Sequence, residues 1–405
     1  MTADVSDLIQ ETEVVQLLQQ LIRIPSQFSE FELVQHADIT EFLKRELASL
    51  GMEVSVVGAD PDYPSVVGRL RGSGGRPTLA MIGHYNTVMI GDTDLWSVDP
   101  FAAEIVDRRV YGRGACDQKN SLAAAIVATR AIVASGVPLG GDLVHLWLPG
   151  EGAQQHALPY LVEERPDLID VDWFLDTDSG PDIVQRSGGL IWMEIEVRGL
   201  GSHVGLSRLG GEMPVNAISK MMKLLSAMEQ VDQWMSYEPH PLFGPPERYS
   251  TAPIVEVGKI SGGVKVNQVP ERCLAQVDIR MLPGQTPKDL LAELEALVNR
   301  LREEDPTLDV EVHPYTVCHV PYEVSDDHLV VQAIRRVATP LLGREPRMVG
   351  SIGGGRPELW SIGEVIPFGC FGEGGNAHAV DEYANIDGLV TFAKIYCRLL
   401  EVLLC

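Results

Sequence analysis

Short apolar runs that alternate with amphipathic stretches constrain this chain most, because each kind of run can be buried in only a few ways. TLAMIGHY and GDLVHLWLPG are strand-length and apolar, and each ends in glycine or polar residues. ETEVVQLLQQLIRI and FELVQHADITEFLKRELASL carry apolar residues at helical spacing. Such alternation predicts an α/β domain with a largely parallel sheet. Near Gly188 the texture changes to strand (LIWMEIEVRG), helix (PVNAISKMMKLLSAMEQ), strand (APIVEVGKISGG), strand (RCLAQVDIRML), helix (TPKDLLAELEALVNRLREE) and strand (DVEVHPYT). That order is the signature of a small α+β insert. From about Val317 the first texture returns, so the predicted organisation is a first domain over 1–188 and 317–405, interrupted by a second over 189–316.

At 405 residues the chain is long enough to bury two cores. Its 57 acidic against 32 basic residues give a formal charge of -25, which repels phosphate backbones and anionic lipid, so neither nucleic acid nor a membrane is expected as a partner. No apolar run approaches the roughly 20 residues that cross a bilayer, and the amino terminus lacks the pattern of a secretory signal, so a cytoplasmic protein is expected. Cys116, Cys273, Cys318, Cys370, Cys397 and Cys405 have no paired or CxxC spacing and are read as reduced, with Cys116, beside Asp117, read as a buried packing group.

Ligands of open α/β sheets collect at the carboxyl ends of strands. Three polar clusters take that place here: His84-Tyr85-Asn86, Glu151, and Asp176-Thr177-Asp178. Between them the glycine-rich turn of RRVYGRGACDQKNSLAAAIVATRAI delivers Asp117 ahead of an alanine-rich helix, where an aspartate serves equally well as a helix cap.

The strings GHYNTV, WSVDPF, YGRGACDQK, GEG, GSHVG, VNQVP, DIRMLPGQ and NAHAVDEY resemble, in order, the motifs of one metallohydrolase family, that of glutamate carboxypeptidase, acetylornithine deacetylase, succinyl-diaminopimelate desuccinylase and aminoacylase. The resemblance runs from about Leu8 to the carboxyl terminus. It implies a zinc-peptidase-like catalytic domain with an inserted α+β (ferredoxin-like) lid that also forms a homodimer or higher homo-oligomer. It implies that His84 and Asp178 bind one metal, that Asp117 bridges to a second, and that His378 binds that second ion. Such donors suit zinc or manganese. Glu151 matches the general base that takes a proton from the attacking water. His203 matches a lid histidine that reaches the substrate, and Asn267 and Arg280 match lid positions near its anionic end. Arg280 reads equally well as a strand residue paired with an acid; the spacing to the following SGP favours Asp178 over Asp176 as the ligand, with Asp176 a strand-end partner, and Asp176 as the ligand is the alternative.

Three positions depart from the family pattern. Asn86 replaces an aspartate that bonds the metal-binding histidine; its amide oxygen is expected to accept that bond without the charge. Gly152 replaces the second of two adjacent glutamates, which removes a ligand from the second metal position and predicts one ion per active site, a second remaining possible. Gly354 and Gly355 replace pocket-lining threonine and aspartate, and Arg356 is a candidate cation for the substrate. The leading expectation is hydrolysis of an amide in an N-acyl amino acid or small peptide-like carboxylate. The alternatives are an aminohydrolase releasing ammonia from an amino-substituted aromatic acid, and a non-catalytic binding protein.

Overall fold

The structure is a computed structural model that describes residues 4–28, 36–150, 154–206, 213–238, 252–313, 317–351, 357–360, 362–371 and 373–405. Glu151, Gly152, Gly354, Gly355 and Arg356 lie outside the described residues. The chain divides into two compact units: one from 1–185, 324–348 and 358–405, the other from 186–323 and 349–357. The return to the first unit thus falls at 323/324 and not at 317, because Val317–His319 pairs antiparallel with the strand Gly189–Arg198 of the second unit.

The first unit is built on a six-stranded sheet in the order Glu53–Val57, Ser65–Leu70, Leu143–Leu148, Leu79–His84, Trp173–Asp176, Glu364–Pro367. The last four run parallel and the first two antiparallel, giving the largely parallel sheet that the apolar runs imply. Leu79–His84 and Leu143–Leu148 are buried at every position, which is why both read as unbroken apolar runs without alternation. The alanine-rich helix Lys119–Ser135 is buried along most of its length and packs against the helices Glu11–Ile22 and Ile386–Leu404; only small side chains let three helices approach so closely. Gly136 ends it in the left-handed conformation, at φ 69°.

In the second unit the order strand, helix, strand, strand, helix, strand folds into an antiparallel sheet. Its strands lie in the order Ile254–Gly262, Arg272–Met281, Gly189–Arg198, Asp309–Val312, the second-third-first-fourth arrangement of a ferredoxin-like unit. Alternation along two strands buries Ile191, Met193, Ile195 and Val197 with Cys273, Ala275, Val277 and Ile279 in one core. The helices Ala217–Met228 and Pro287–Glu304 supply Met221, Leu224, Leu294 and Leu297 to that core. Asn216 and Thr286 cap these helices through their side chains, as short polar residues do at helix starts.

Candidate metal centre

The strands ending at His84, Leu148 and Asp176 are neighbours and parallel, so their carboxyl ends open side by side. His84 is the last residue of its strand and 2% exposed. Its Nδ1 lies 2.8 Å from the main-chain carbonyl oxygen of Asn86. A carbonyl only accepts, so Nδ1 carries the proton and Nε2 is the atom turned to the site. Nε2 lies 3.1 Å from Asp117 Oδ1 and 3.7 Å from Asp178 Oδ2, and one donor atom from each of the three residues falls within 4.8 Å of the others. The main-chain carbonyl of Asn86 thus holds the His84 ring, a bond that does not depend on which side chain stands at this position.

Asp117 is buried, and its second oxygen, Oδ2, lies 2.8 Å from His378 Nε2. One carboxylate therefore stands between two imidazoles. Burial works to raise the Asp117 carboxyl, but the hydrogen bond and charge of His84, then the charge and hydrogen bond of His378, hold it below the ordinary carboxylate value. Gln118 follows Asp117 through a cis peptide, and its side-chain oxygen accepts the His84 N–H at 3.1 Å. The helix begins at Lys119, so Asp117 does not occupy the cap position and the capping reading gives way to the clustered one. Asp176, at its strand end, accepts the Asp178 N–H on Oδ1 at 3.1 Å.

Glycine is required where the main chain passes the site. Gly114 has φ 85°, and a Cβ there would meet Thr87 and Lys119 side chains at 2.7 and 3.0 Å. A Cβ on Gly150 would come within 2.1 Å of His84 Cβ. Gly150 is thus packed on the histidine, and the next residue in the chain is Glu151.

With Nδ1 bonded to the Asn86 carbonyl, His84 Nε2 faces two carboxylates, where a divalent ion would take the place of a proton among the three groups. Nitrogen and carboxylate oxygens at this spacing fit a hard or borderline divalent ion such as zinc or manganese. Cys116 is not part of the donor set: its thiol is buried, burial pushes its pKa up, and Sγ lies 3.5 Å from the Gly375 carbonyl oxygen.

The sequence reading missed Glu382. Its fully buried carboxylate accepts Arg113 Nη1 at 2.7 Å and the Gly114 N–H at 3.1 Å on Oε2, and the N–H groups of Cys116 and Asp117, both at 3.0 Å, on Oε1. It lies inside NAHAVDEY, four residues after His378, and an acid so close to a ligand in a motif was the available signal. The WSVDPF segment covers the same loop. Trp96 lies under the Arg113 guanidinium, 5.1 Å from it, the Pro100 carbonyl oxygen accepts the Arg113 N–H, and Ser97 donates twice to Asp381 at 2.7 Å.

The other expected substrate residues belong to the second unit. His203 is exposed, its Nδ1 accepting the Gly205 N–H at 3.1 Å, and the Val204 N–H donates to the Asn267 carbonyl oxygen at 3.1 Å, so His203 and Asn267 sit in adjoining turns. Arg280 is paired with Asp278 at 2.7 Å, the acid-paired reading of that strand residue.

The family model described as Peptidase family M20/M25/M40 matches residues 80–402. Among curated proteins, the N-formyl-4-amino-5-aminomethyl-2-methylpyrimidine deformylase of Halalkalibacterium halodurans is 25% identical over 408 residues, covering 94% of this chain and 92% of that protein. A probable succinyl-diaminopimelate desuccinylase of Staphylococcus epidermidis is 23% identical over 414 residues, covering 96% and 97%. Among solved structures, the YXEP protein of Bacillus subtilis, described as a dinuclear metal binding peptidase from the M20 family, shares the fold with a TM-score of 0.67 at 15% identity, over 97% of this chain and 98% of that one.

Proposed function

The chain belongs to peptidase family M20/M25/M40, and on that footing we propose that it hydrolyses the amide of an N-acyl amino acid or a small peptide-like carboxylate. It is a metal-dependent hydrolase acting on C–N bonds. The observation that carries the proposal is the Asp117 carboxylate held between His84 and His378 with Asp178 beside it.

His84, Asp117 and Asp178 would hold a divalent ion, with zinc or manganese suited to the set. Bound there it would supply Lewis-acid polarisation of the scissile carbonyl and a lower pKa for the attacking water. A second position, at Asp117 and His378, is the weaker one because Gly152 brings no carboxylate, so one ion per site is held tightly. Glu151, the residue after the glycine packed on His84, takes the proton from the attacking water and returns it to the leaving nitrogen. The second unit acts as a lid: His203 and Asn267 receive the carboxylate end of the substrate, with Arg356 adding a cation and Arg280 joining them once released from Asp278.

Both curated relatives are named for removing an acyl group from nitrogen, which favours amide cleavage over release of ammonia. A homodimer through the second unit completes the reading. Its edge strand Ile254–Gly262 leaves Ile260 half exposed, and Val264 and Val266 beyond it are 85% and 99% exposed, an apolar run that a second copy would cover.

The test is a panel of formyl, acetyl and succinyl amino acids and dipeptides, assayed with added zinc or manganese and again after chelation, together with metal content per chain. Acyl cleavage that disappears on chelation and returns with metal is expected, with one ion retained through dialysis. Two retained ions would remove the one-metal part, and ammonia release without a carboxylic acid product would overturn the amide assignment.

A further inference from the structure

We propose that Glu382 is a positioning residue that sets the Asp117 carboxylate in place before any metal arrives. The inference rests on the metal centre proposed above and adds to it the question of what holds its bridging ligand.

Asp117 sits in the loop Gly112–Gln118, which has no regular secondary structure of its own to fix it. The Glu382 carboxylate substitutes for that structure. Four donors converge on its two oxygens, three of them main-chain N–H groups from Gly114, Cys116 and Asp117 itself. A carboxylate so surrounded has its lone pairs used and cannot act as a ligand or a base. Its work is geometric: it draws three amides of the loop around one point, and the last amide it grips is that of the ligand.

Position in the chain adds a second constraint. Glu382 follows His378 by four residues in a loop whose Asn376, His378 and Asp381 all have φ between 54° and 61°, a region that non-glycine residues occupy only when their surroundings hold them. Asn376 Nδ2 donates to the Asp381 carbonyl oxygen at 3.1 Å, and Asp381 is clamped by Ser97. The Glu382 carbonyl oxygen also accepts the Gly112 N–H, and Tyr383 pairs with Tyr111. One loop therefore carries a ligand, His378, and the group that fixes the facing ligand, Asp117, and the 2.8 Å separation between those two follows from both.

Charge explains why the pair is Glu382 with Arg113 and not a neutral amide. An uncompensated anion beside Asp117 would compete with the centre for cations. Arg113, 1% exposed and stacked on Trp96, cancels the charge locally while leaving Oε1 to the amides of Cys116 and Asp117.

The experiment uses the full chain and zinc chloride alone, with affinity read by competition against a chromophoric chelator. Glu382→Asp keeps the charge and withdraws the carboxylate by one methylene; Glu382→Gln keeps the length, loses the charge and leaves Arg113 uncompensated. Zinc affinity is expected to fall at least tenfold in Glu382→Asp, the scale on which supporting residues affect metal sites, and further in Glu382→Gln. Hydrogen exchange on metal-free wild type is expected to show the segment 112–118 already protected, and protection of that segment alone is expected to be lost in Glu382→Asp.

A folded variant that binds zinc within about twofold of wild type overturns the proposal, as does a metal-free wild type that exchanges 112–118 as fast as its exposed loops. Should neither variant fold, the wild-type exchange decides alone. A protected segment in a protein that takes up no zinc would sink the metal centre and leave the positioning of Asp117 standing.

Discussion

The two units solve the same packing problem with opposite consequences for chemistry. In the first, strands such as Leu79–His84 and Leu143–Leu148 are covered on both faces and, His145 apart, carry their polar residues where the strands end. In the second, one sheet face packs on two helices and the other carries Trp192, Glu194, Arg198 and Gln276. A two-faced core leaves the strand ends as the main place for polar groups, and the buried strands fix where those ends lie. A one-faced sheet puts His203 and Arg280 on turns and strands that water also reaches. The difference separates residues that must be exact from residues that need only be near.

The contrast breaks first, if it breaks, at the base. Glu151→Gln is expected to lower kcat by about 10²–10⁴-fold with zinc binding retained, measured on the best acyl substrate of the panel. A smaller loss would mean that the proton moves through another group. Next in size is Leu146→Ala, at a fully buried position of the first sheet. It is expected to cost about 2–5 kcal/mol in urea unfolding, while Gln276→Ala on the open face of the second sheet changes stability by about 0.5 kcal/mol or less. Equal costs would mean that the two sheets are not buried differently in solution.

A pH measurement sharpens the same contrast. His145 lies inside the first sheet with Nε2 2.7 Å from Thr129 Oγ1, and burial lowers its pKa to about 3. The folded value lies below the unfolded one of 6.5, so the unfolded chain binds the proton first and stability is lost as pH falls from 6.5 towards 3. The slope from this group is about 1.4 kcal/mol per pH unit well inside that window. His145→Leu is expected to flatten the dependence of the urea midpoint on pH over that range; an unchanged slope would show that the ring is solvated. The smallest effect is expected in the second unit, where His203→Ala raises KM about tenfold with kcat changed less, the pattern of lost uniform binding. A fall in kcat without a rise in KM would move His203 into the reacting groups.

The sequence was most legible where periodicity had a single physical cause. LIWMEIEVRG and RCLAQVDIRML were read as strands, and along both the residues of the apolar core alternate. His84 and Asp178 stood out near the ends of apolar runs and Asp117 in a glycine-rich turn, while His378 and the ligand roles came from the resemblance to the family; the fold brings the four side chains together. The place where the chain re-enters the first unit was not legible, since Val317–His319 is a strand too short to show a period. The main-chain acceptor beside His84 Nδ1 was not legible, because a main-chain carbonyl leaves no trace in residue type. Glu382 escaped for a related reason: its partners are amides, which every residue has.

The bond from the Asp117 amide to Glu382 joins residues 265 positions apart, and the whole second unit lies between them in the chain. During synthesis the loop that carries Asp117 emerges long before the residue that shapes it, so the centre is completed only when the last part of the chain has folded back. A nascent chain stopped within the second unit has its buried strands in hand and nothing yet to tighten a metal site. Capture of an ion then reports that synthesis has passed Glu382.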